Sequence, residues 1–82
     1  MMNNLSAINK QSTKQEVLNE LVKLFTPYAR NLLGSGADFS YMNMYADNFR
    51  DQILNQTHLS EYDVYTILNE ACDLSWRNQV NQ

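Results

Sequence analysis

Apolar residues recur at alternating intervals of three and four between positions 18 and 32, and this spacing restricts the segment to a helix. A period of 3.6 residues places all of them on one side of an α-helix. Ser12 with Gln15, and Thr13 with Glu16, each match a capping box at the start of such a helix. We therefore predict a helix over residues 13–33 whose apolar stripe consists of Leu18, Leu21, Phe25, Tyr28 and Leu32.

The single proline, Pro27, lies inside this helix. Proline has no N–H, and its ring strikes the carbonyl group four residues earlier. We therefore expect the helix to be kinked or split at Pro27, with Thr26 as the N-cap of the restarted part. Gly34 is expected to end the helix in the left-handed conformation.

A second helix is predicted over residues 38–55, with Asp38 as its N-cap. Phe39, Tyr41 and Tyr45 also lie at alternate positions, which is typical of a short strand. The helix is favoured because the chain has no second strand-like run to pair with. Its inward residues are expected to be Phe39, Met42, Tyr45, Ala46, Phe49 and Ile53.

A third helix is predicted over residues 60–79, with Ser60 as N-cap and Asp63 closing a capping box. Asp73 and Arg77 are spaced for an ion pair on its surface. The apolar stripe of this helix consists of Val64, Ile67, Leu68, Ala71 and Leu74.

Three helices joined by short loops predict an all-α fold, a compact three-helix bundle over residues 12–82. Residues 1–11 are expected to form a flexible N-terminal leader, in which Leu5 and Ile8 provide at most one anchoring turn. An 82-residue chain has room for one core only. With one cysteine and one histidine it has neither an internal disulfide nor a four-ligand zinc site to stabilise it.

Charge and composition restrict the cellular setting and the class of partner. The net charge is −3, and the six basic residues are scattered, so we do not expect nucleic acid as a partner on electrostatic grounds. No apolar stretch approaches the ~18 residues of a membrane span, so no membrane association is expected. A single unpaired cysteine suits a reducing compartment, and we predict a cytoplasmic protein.

No arrangement of residues predicts catalysis, a cofactor or a metal site. Cys72 follows His58 by about 20 Å along a helix, at 1.5 Å per residue, so the two cannot form a nucleophile–base pair. The acidic residues lie outside the apolar stripes and alternate with basic ones, which is typical of solvated faces. We therefore expect a protein that is not an enzyme.

An aromatic face on the third helix is the strongest functional signal. Tyrosine and tryptophan dominate protein interfaces, because they bury a large area at low entropic cost. The alternative is that this helix is buried on two sides, in which case Trp76 belongs to the core. The candidate interface consists of Tyr62, Tyr65, Cys72 and Trp76, extended by Tyr41 and Met44 on the second helix.

The sequence therefore predicts a small protein–protein interaction module that acts as an adaptor or inhibitor by binding a larger protein. A homodimer is expected, because the apolar stripes and the aromatic face together exceed what three short helices cover. Small size, acidity and many amide side chains are compatible with an accessory protein of a phage or mobile element. The alternative function is a small helical regulator of transcription or replication that contacts nucleic acid.

Overall fold

The computed structural model describes residues 5 and 7–81, and within them the fold is all-α. Four helices follow one another along the chain: α1 (Lys14–Ser35), α2 (Ser40–Asp47), α3 (Arg50–Gln56) and α4 (Glu61–Val80). No strand occurs in this described part of the chain. The alternative of a strand over residues 39–45 is therefore wrong, because this segment forms the start of α2.

The first helix begins at the predicted capping box. The Glu16 N–H donates to the Thr13 hydroxyl at 3.1 Å, and the Thr13 N–H donates to a Glu16 carboxylate oxygen at 2.8 Å. The competing box at Ser12 does not form, because the Ser12 hydroxyl accepts from the Asn9 N–H at 2.9 Å. Two of the free N–H groups at this helix end are thereby satisfied.

Pro27 does not split α1, which continues as one helix to Ser35. Thr26 is consequently an interior residue and not the N-cap of a second segment. Its hydroxyl donates to the Val22 carbonyl at 2.7 Å. Pro27 and Lys23 are both exposed, so the carbonyl that lacks its usual N–H partner lies on the side of α1 where water solvates it.

The left-handed residue that ends α1 is Gly36, with φ +81°, and not Gly34 as predicted. The N–H of Gly36 donates to the Leu33 carbonyl at 3.3 Å, and the N–H of Ala37 donates to the Leu32 carbonyl at 3.0 Å. This pair of bonds is a Schellman motif. Gly34 lies within the last turn of the helix.

The predicted second helix is two helices, α2 and α3, which are separated by Asn48 and Phe49. The N–H groups of these two residues donate three positions back, to Tyr45 at 3.2 Å and Ala46 at 3.0 Å. Asp47 and Asn48 both have low helix propensity, so an interruption here costs little. The start is also later than predicted: Phe39 is at the N-cap position, while the Asp38 carboxylate accepts from the Ser40 N–H at 3.0 Å.

Aromatic packing holds this turn against α1. The Phe49 ring lies 5.8 Å from the Phe25 ring and 5.2 Å from the Tyr45 ring, measured between centroids. Tyr45 also stacks on Tyr28 at 3.9 Å. These tilted and stacked contacts add to the energy of area burial.

The fourth helix has Ser60 as its N-cap, as predicted, since the Ser60 hydroxyl accepts from the Asp63 N–H at 3.1 Å. This is one half of the predicted capping box, and the reciprocal bond to the Asp63 carboxylate is not seen among the described residues. The Asp63 carboxylate lies 3.6 Å from the Lys14 ammonium group. The predicted ion pair between Asp73 and Arg77 is present at 2.9 Å.

The two short helices α2 and α3 follow each other and together form one arm of the bundle, the α2–α3 arm, beside α1 and α4. The helices α1 and α4 run parallel. Their first turns are joined by Lys14 and Asp63, and near their ends the Arg30 guanidinium donates to the Gln79 side chain at 3.4 Å. The α2–α3 arm therefore runs in the opposite direction to both. The described residues thus form four helices where three were predicted, and the interruption lies within the second predicted helix and does not split the first.

The N-terminal strap, Leu5 with residues 7–12, packs on the bundle. Leu5 is fully buried and Ile8 nearly so, and both belong to the core. The Gln56 side-chain amide donates to the carbonyls of Leu5 at 3.0 Å and Ile8 at 3.3 Å. This placement differs from the predicted leader, because two apolar side chains and an amide anchor the strap. Residues 1–4 and 6 of that leader lie outside the described residues.

Candidate functional site

The exposed side of α4 carries a row of residues that we term the α4 stripe. Its members follow one another at helical intervals of three or four, so they share one side of the helix. Tyr62 is 74% exposed, Tyr65 61% and Val80 56%. The α4 stripe consists of Tyr62, Tyr65, Asn69, Asp73, Trp76 and Val80.

Trp76 belongs partly to the stripe and partly to the core. Its ring system meets the Phe39 ring edge-on, with 5.5 Å between centroids and 83° between planes. The side chain is half-buried and packs against the core cluster. Trp76 therefore contributes to folding through one side, while the rest of the indole remains accessible.

Cys72, a predicted interface residue, lies inside the protein. The side chain is fully buried, and its thiol donates to the Met42 carbonyl at 3.5 Å. Cys72 shares a side of α4 with Tyr65, but α2 packs against α4 at this position and covers the Cys72 side chain. Burial, followed by the nearby carboxylates of Asp47 and Asp73, raises the pKa of this thiol to about 11.

The two predicted interface residues on α2 are exposed, but they are not equivalent. Met44 is 65% exposed, and at 100° per residue it is turned by about 100° from Asn43, which faces α4. Tyr41 is 47% exposed. At 100° per residue it is turned by about 200° from Asn43, which faces α4. Tyr41 therefore lies on a side of α2 away from Asn43, and neither Tyr41 nor Met44 is among the residues that line the space between α2 and α4.

Tyr65 forms one wall of a groove of about 290 Å³ between the α2–α3 arm and α4, which we term the α2–α4 groove. Its polar lining was not identified from the sequence. These residues come from three helices, and no spacing along the chain shows that the turn at residues 48–49 brings them opposite Tyr65. The lining consists of Asn43, Ala46, Asp47, Arg50, Tyr65, Leu68 and Asn69.

A larger groove, of about 750 Å³, lies between the N-terminal strap, α1 and the last half of α4. Its apolar lining consists of Ala7, Ile8, Leu18, Val22 and Leu74. None of the predicted interface residues borders it. The two grooves therefore lie on different sides of the bundle.

Half of the six basic residues are engaged by carboxylates. Besides the pairs Lys14–Asp63 and Arg77–Asp73, the Lys23 ammonium group lies 3.3 Å from Glu20. Such surface pairs contribute little to stability. They do lower the positive potential that a phosphate backbone would meet at these positions.

Residues with catalytic or metal-binding chemistry are dispersed in the part of the chain described. His58 is exposed in the loop before α4, whereas Cys72 is buried. Over residues 5 and 7–81, no three His, Cys, Asp or Glu side chains are grouped as a metal ion would require. In the same residues, no helix is both long enough and apolar enough to cross a bilayer.

Comparison with known proteins gives no relative: no family model, no curated protein and no solved structure matches the chain.

Proposed function

We propose that this protein is a non-catalytic interaction module that binds a larger protein through the α4 stripe, as an adaptor or an inhibitor. The observation that carries this proposal is the exposure of Tyr62 and Tyr65, at 74% and 61%, on adjacent turns of one helix. Tyrosine has only two side-chain torsions to fix and a hydroxyl that keeps a hydrogen-bond partner when buried.

The position of the stripe also suits this role. It lies on α4, which packs against the other three helices, so the aromatic side chains stand on a rigid support. Trp76, anchored on Phe39, extends the same side of the helix by about three turns. Clusters of such residues commonly supply most of the energy of an interface.

The alternative, a regulator that contacts nucleic acid, has weaker support. On α4 the residues Glu61, Asp63, Glu70 and Asp73 face a single basic residue, Arg77. Arg77 is itself paired with Asp73 at 2.9 Å. Phosphate binding depends on several free cations close together. A gel-shift assay at low salt with duplex DNA is expected to show no complex.

The proposal that the protein is not an enzyme is supported by the state of its one thiol. With a pKa near 11, Cys72 holds its proton at neutral pH, and the thiolate is the nucleophilic form. A reducing, cytoplasmic environment remains part of the proposal, on the basis of this single unpaired cysteine. We also propose, on the basis of the small size and acidity of the chain, that the protein is an accessory protein of a phage or mobile element.

Self-association is also part of the proposal. Five large apolar or aromatic side chains are exposed among the described residues of this small chain, and groups of such residues often mark interfaces. Light scattering at micromolar concentration is expected to give a mass of twice the 9.6 kDa of one chain. A mass of one chain at all concentrations would contradict this part of the proposal.

The main experiment combines capture with point variants. The protein is used as bait in a lysate of the cell that makes it, the partner is identified by mass spectrometry, and its affinity is then measured by titration. Tyr65→Ala is expected to weaken binding by roughly thirty-fold to a thousand-fold, as for a hot-spot residue that contributes about 2–4 kcal/mol.

Tyr41→Ala is the matched control, because it removes an exposed tyrosine that lies away from the stripe. We expect it to change the affinity by less than about threefold, as for most exposed positions outside an interface. Equal effects of the two variants, or no effect of Tyr65→Ala, would refute binding through the α4 stripe.

A further inference from the structure

The α2–α4 groove contains an acid and a base that do not bind each other. Asp47 ends α2 and Arg50 begins α3, and both exposed side chains line the groove. The ion pairs among the described residues do not include either side chain. Glu20 and Lys23, which have the same order and spacing within α1, do form a pair, at 3.3 Å. Two opposite charges therefore stay free on one surface, on either side of the turn at residues 48–49.

The α4 stripe beside this groove has the same spacing in both directions about Asn69. From Tyr62 to Trp76 its members are separated by three, four, four and three residues. This is the pattern of an interface between two identical antiparallel helices, because a residue before the two-fold axis then lies level with the residue equally far after it. Asn69 also lines the groove, so the symmetric spacing and the free charges occur at the same place.

We propose that this side of the molecule binds a second copy of the chain, with the two α4 helices antiparallel and a two-fold axis near Asn69. The rotation reverses the order of Asp47 and Arg50, so each carboxylate faces the guanidinium group of the other copy. A surface with one acid and one base selects neither a cation nor an anion, but it complements its own copy. The inference rests on the self-association proposed above and names the surface that carries it. Because Tyr65 belongs to this surface and to the α4 stripe, a chain binds either its copy or the larger protein at one time.

The other residues of the stripe also match their counterparts in this arrangement. Tyr62, which is 74% exposed, lies level with Trp76 of the second copy, and aromatic pairs of this kind stabilise interfaces. Tyr65 lies level with Asp73 of the second copy. One Asp73 oxygen, Oδ2, binds Arg77, and the other can accept a hydrogen bond from the tyrosine hydroxyl.

The test measures the dissociation constant of the dimer, Kd, by analytical ultracentrifugation of the full chain and of charge-reversal variants. Asp47→Lys replaces two attractive contacts in the dimer by two repulsive ones, as does Arg50→Glu. Each variant is expected to raise the Kd about ten- to a hundredfold. An equimolar mixture of the two variants restores both attractions in a mixed dimer, so its Kd is expected to lie within about threefold of the wild-type value. A contact within one chain cannot give this rescue.

Matched controls reverse a pair of the same order and spacing elsewhere. Glu20→Lys and Lys23→Glu change an acid and a base that border the other groove, and they are expected to leave the Kd unchanged, alone and mixed. The variants at positions 47 and 50 are expected to fold, because both positions are exposed. A lysine at the end of α2 and a glutamate at the start of α3 also suit the helix dipoles. Circular dichroism and Tm verify the fold of all four variants.

A cysteine on the proposed axis tests the antiparallel arrangement. Packed helices lie about 8–10 Å apart and have a Cα radius of about 2.3 Å, so two Cα atoms that face each other on the axis are about 4–5 Å apart. This distance suits a disulfide. Asn69→Cys is therefore expected to oxidise to a covalent dimer, whereas Asn31→Cys, at an exposed position on α1, is expected to stay monomeric under the same conditions. The buried Cys72 does not compete.

Three results would overturn the inference. The first is a dimer whose Kd is unchanged by the reversals at positions 47 and 50, or is not restored in their mixture, because self-association would then use another surface. The second is a dimer in which Asn69→Cys stays reduced. The third is a mass of one chain at all concentrations, which would contradict self-association itself. The effect of Tyr65→Ala on the captured larger protein is measured separately, so the proposed function stands or fails independently.

Discussion

Leu5 is the residue whose replacement best tests the role of the N-terminal strap. The side chain is fully buried, and the strap around it is held by the Gln56 amide at 3.0 Å. Leu5→Ala removes three carbons, worth about 2.4 kcal/mol at ~0.8 kcal/mol per buried methylene group. The cavity left behind adds to this, so we expect a loss of about 3–4 kcal/mol in the free energy of unfolding.

The assay is urea unfolding followed by circular dichroism, with thermal unfolding as a second measurement. For a domain of this size each kcal/mol lowers Tm by about 4–8 °C, so a decrease of roughly 12–30 °C is expected. Leu24→Ala, at a half-buried position on α1, is the control and is expected to cost clearly less. A loss below about 1 kcal/mol for Leu5→Ala, or a loss no greater than that of the control, would refute the assignment of the strap to the core.

Three further predictions concern α1, Trp76 and Cys72. Gly36→Ala is expected to lower the stability by about 1 kcal/mol, because φ is +81° at this position. Gly34→Ala is expected to raise the stability by about 0.5–1 kcal/mol, because Gly34 lies inside the helix with open space around it. Thermal unfolding of both variants tests this, and a change of the same sign in both would contradict the Schellman assignment. Trp76→Ala is expected to lower the stability by about 1–3 kcal/mol, because one side of the indole packs on Phe39, and also to weaken binding of the partner. Unchanged urea unfolding of this variant would contradict a role of Trp76 in the core. The folded state holds the Cys72 proton more tightly than the unfolded state, because the pKa of the buried thiol is raised to about 11. The resulting contribution to the free energy of unfolding is complete below pH 9 and is lost as the pH rises toward 11. The pKa of Tyr45 is raised by burial and by Tyr28, so this residue also makes the free energy of unfolding fall as the pH rises. Urea unfolding between pH 8 and 10.5 separates the two groups, because Cys72→Ala is expected to lose less stability over this range than the wild type. Equal losses in the two proteins would contradict the contribution of the thiol.

Local signals in the sequence predicted the starts of α1 and α4. The capping box of Thr13 and Glu16 and the N-cap at Ser60 depend on residues three positions apart. The ion pair between Asp73 and Arg77 joins residues four positions apart. Such features are decided within one turn of the chain, so spacing alone identifies them.

Features that depend on tertiary packing were predicted less well. Proline was expected to kink or split the first helix, yet Pro27 is exposed and α1 is not split. The interruption falls at Asn48 and Phe49, where packing of the Phe49 ring on Phe25 stabilises the turn. The strap is ordered by contacts across the whole chain, since Gln56 lies about fifty positions beyond Leu5 and Ile8.

The candidate site shows the same division. Tyr62 and Tyr65 were predicted from spacing on one helix, and the structure leaves both exposed. Cys72 lies on the same side of α4 but is covered by α2, through Met42. Helical periodicity predicts the direction in which a side chain points, but not which neighbouring helix covers it. The burial of the Cys72 thiol and the α2–α4 groove could therefore not be predicted from the sequence.

Site-specific photocrosslinking tests the central claim, that the α4 stripe contacts the partner, most directly. A photoreactive phenylalanine analogue is placed at Tyr65 and, as control, at Asn31, which is exposed on α1, and the cells that make the protein are irradiated. We expect a covalent adduct with one partner protein from position 65 and none from position 31. An adduct from position 31 without one from position 65 would contradict the claim.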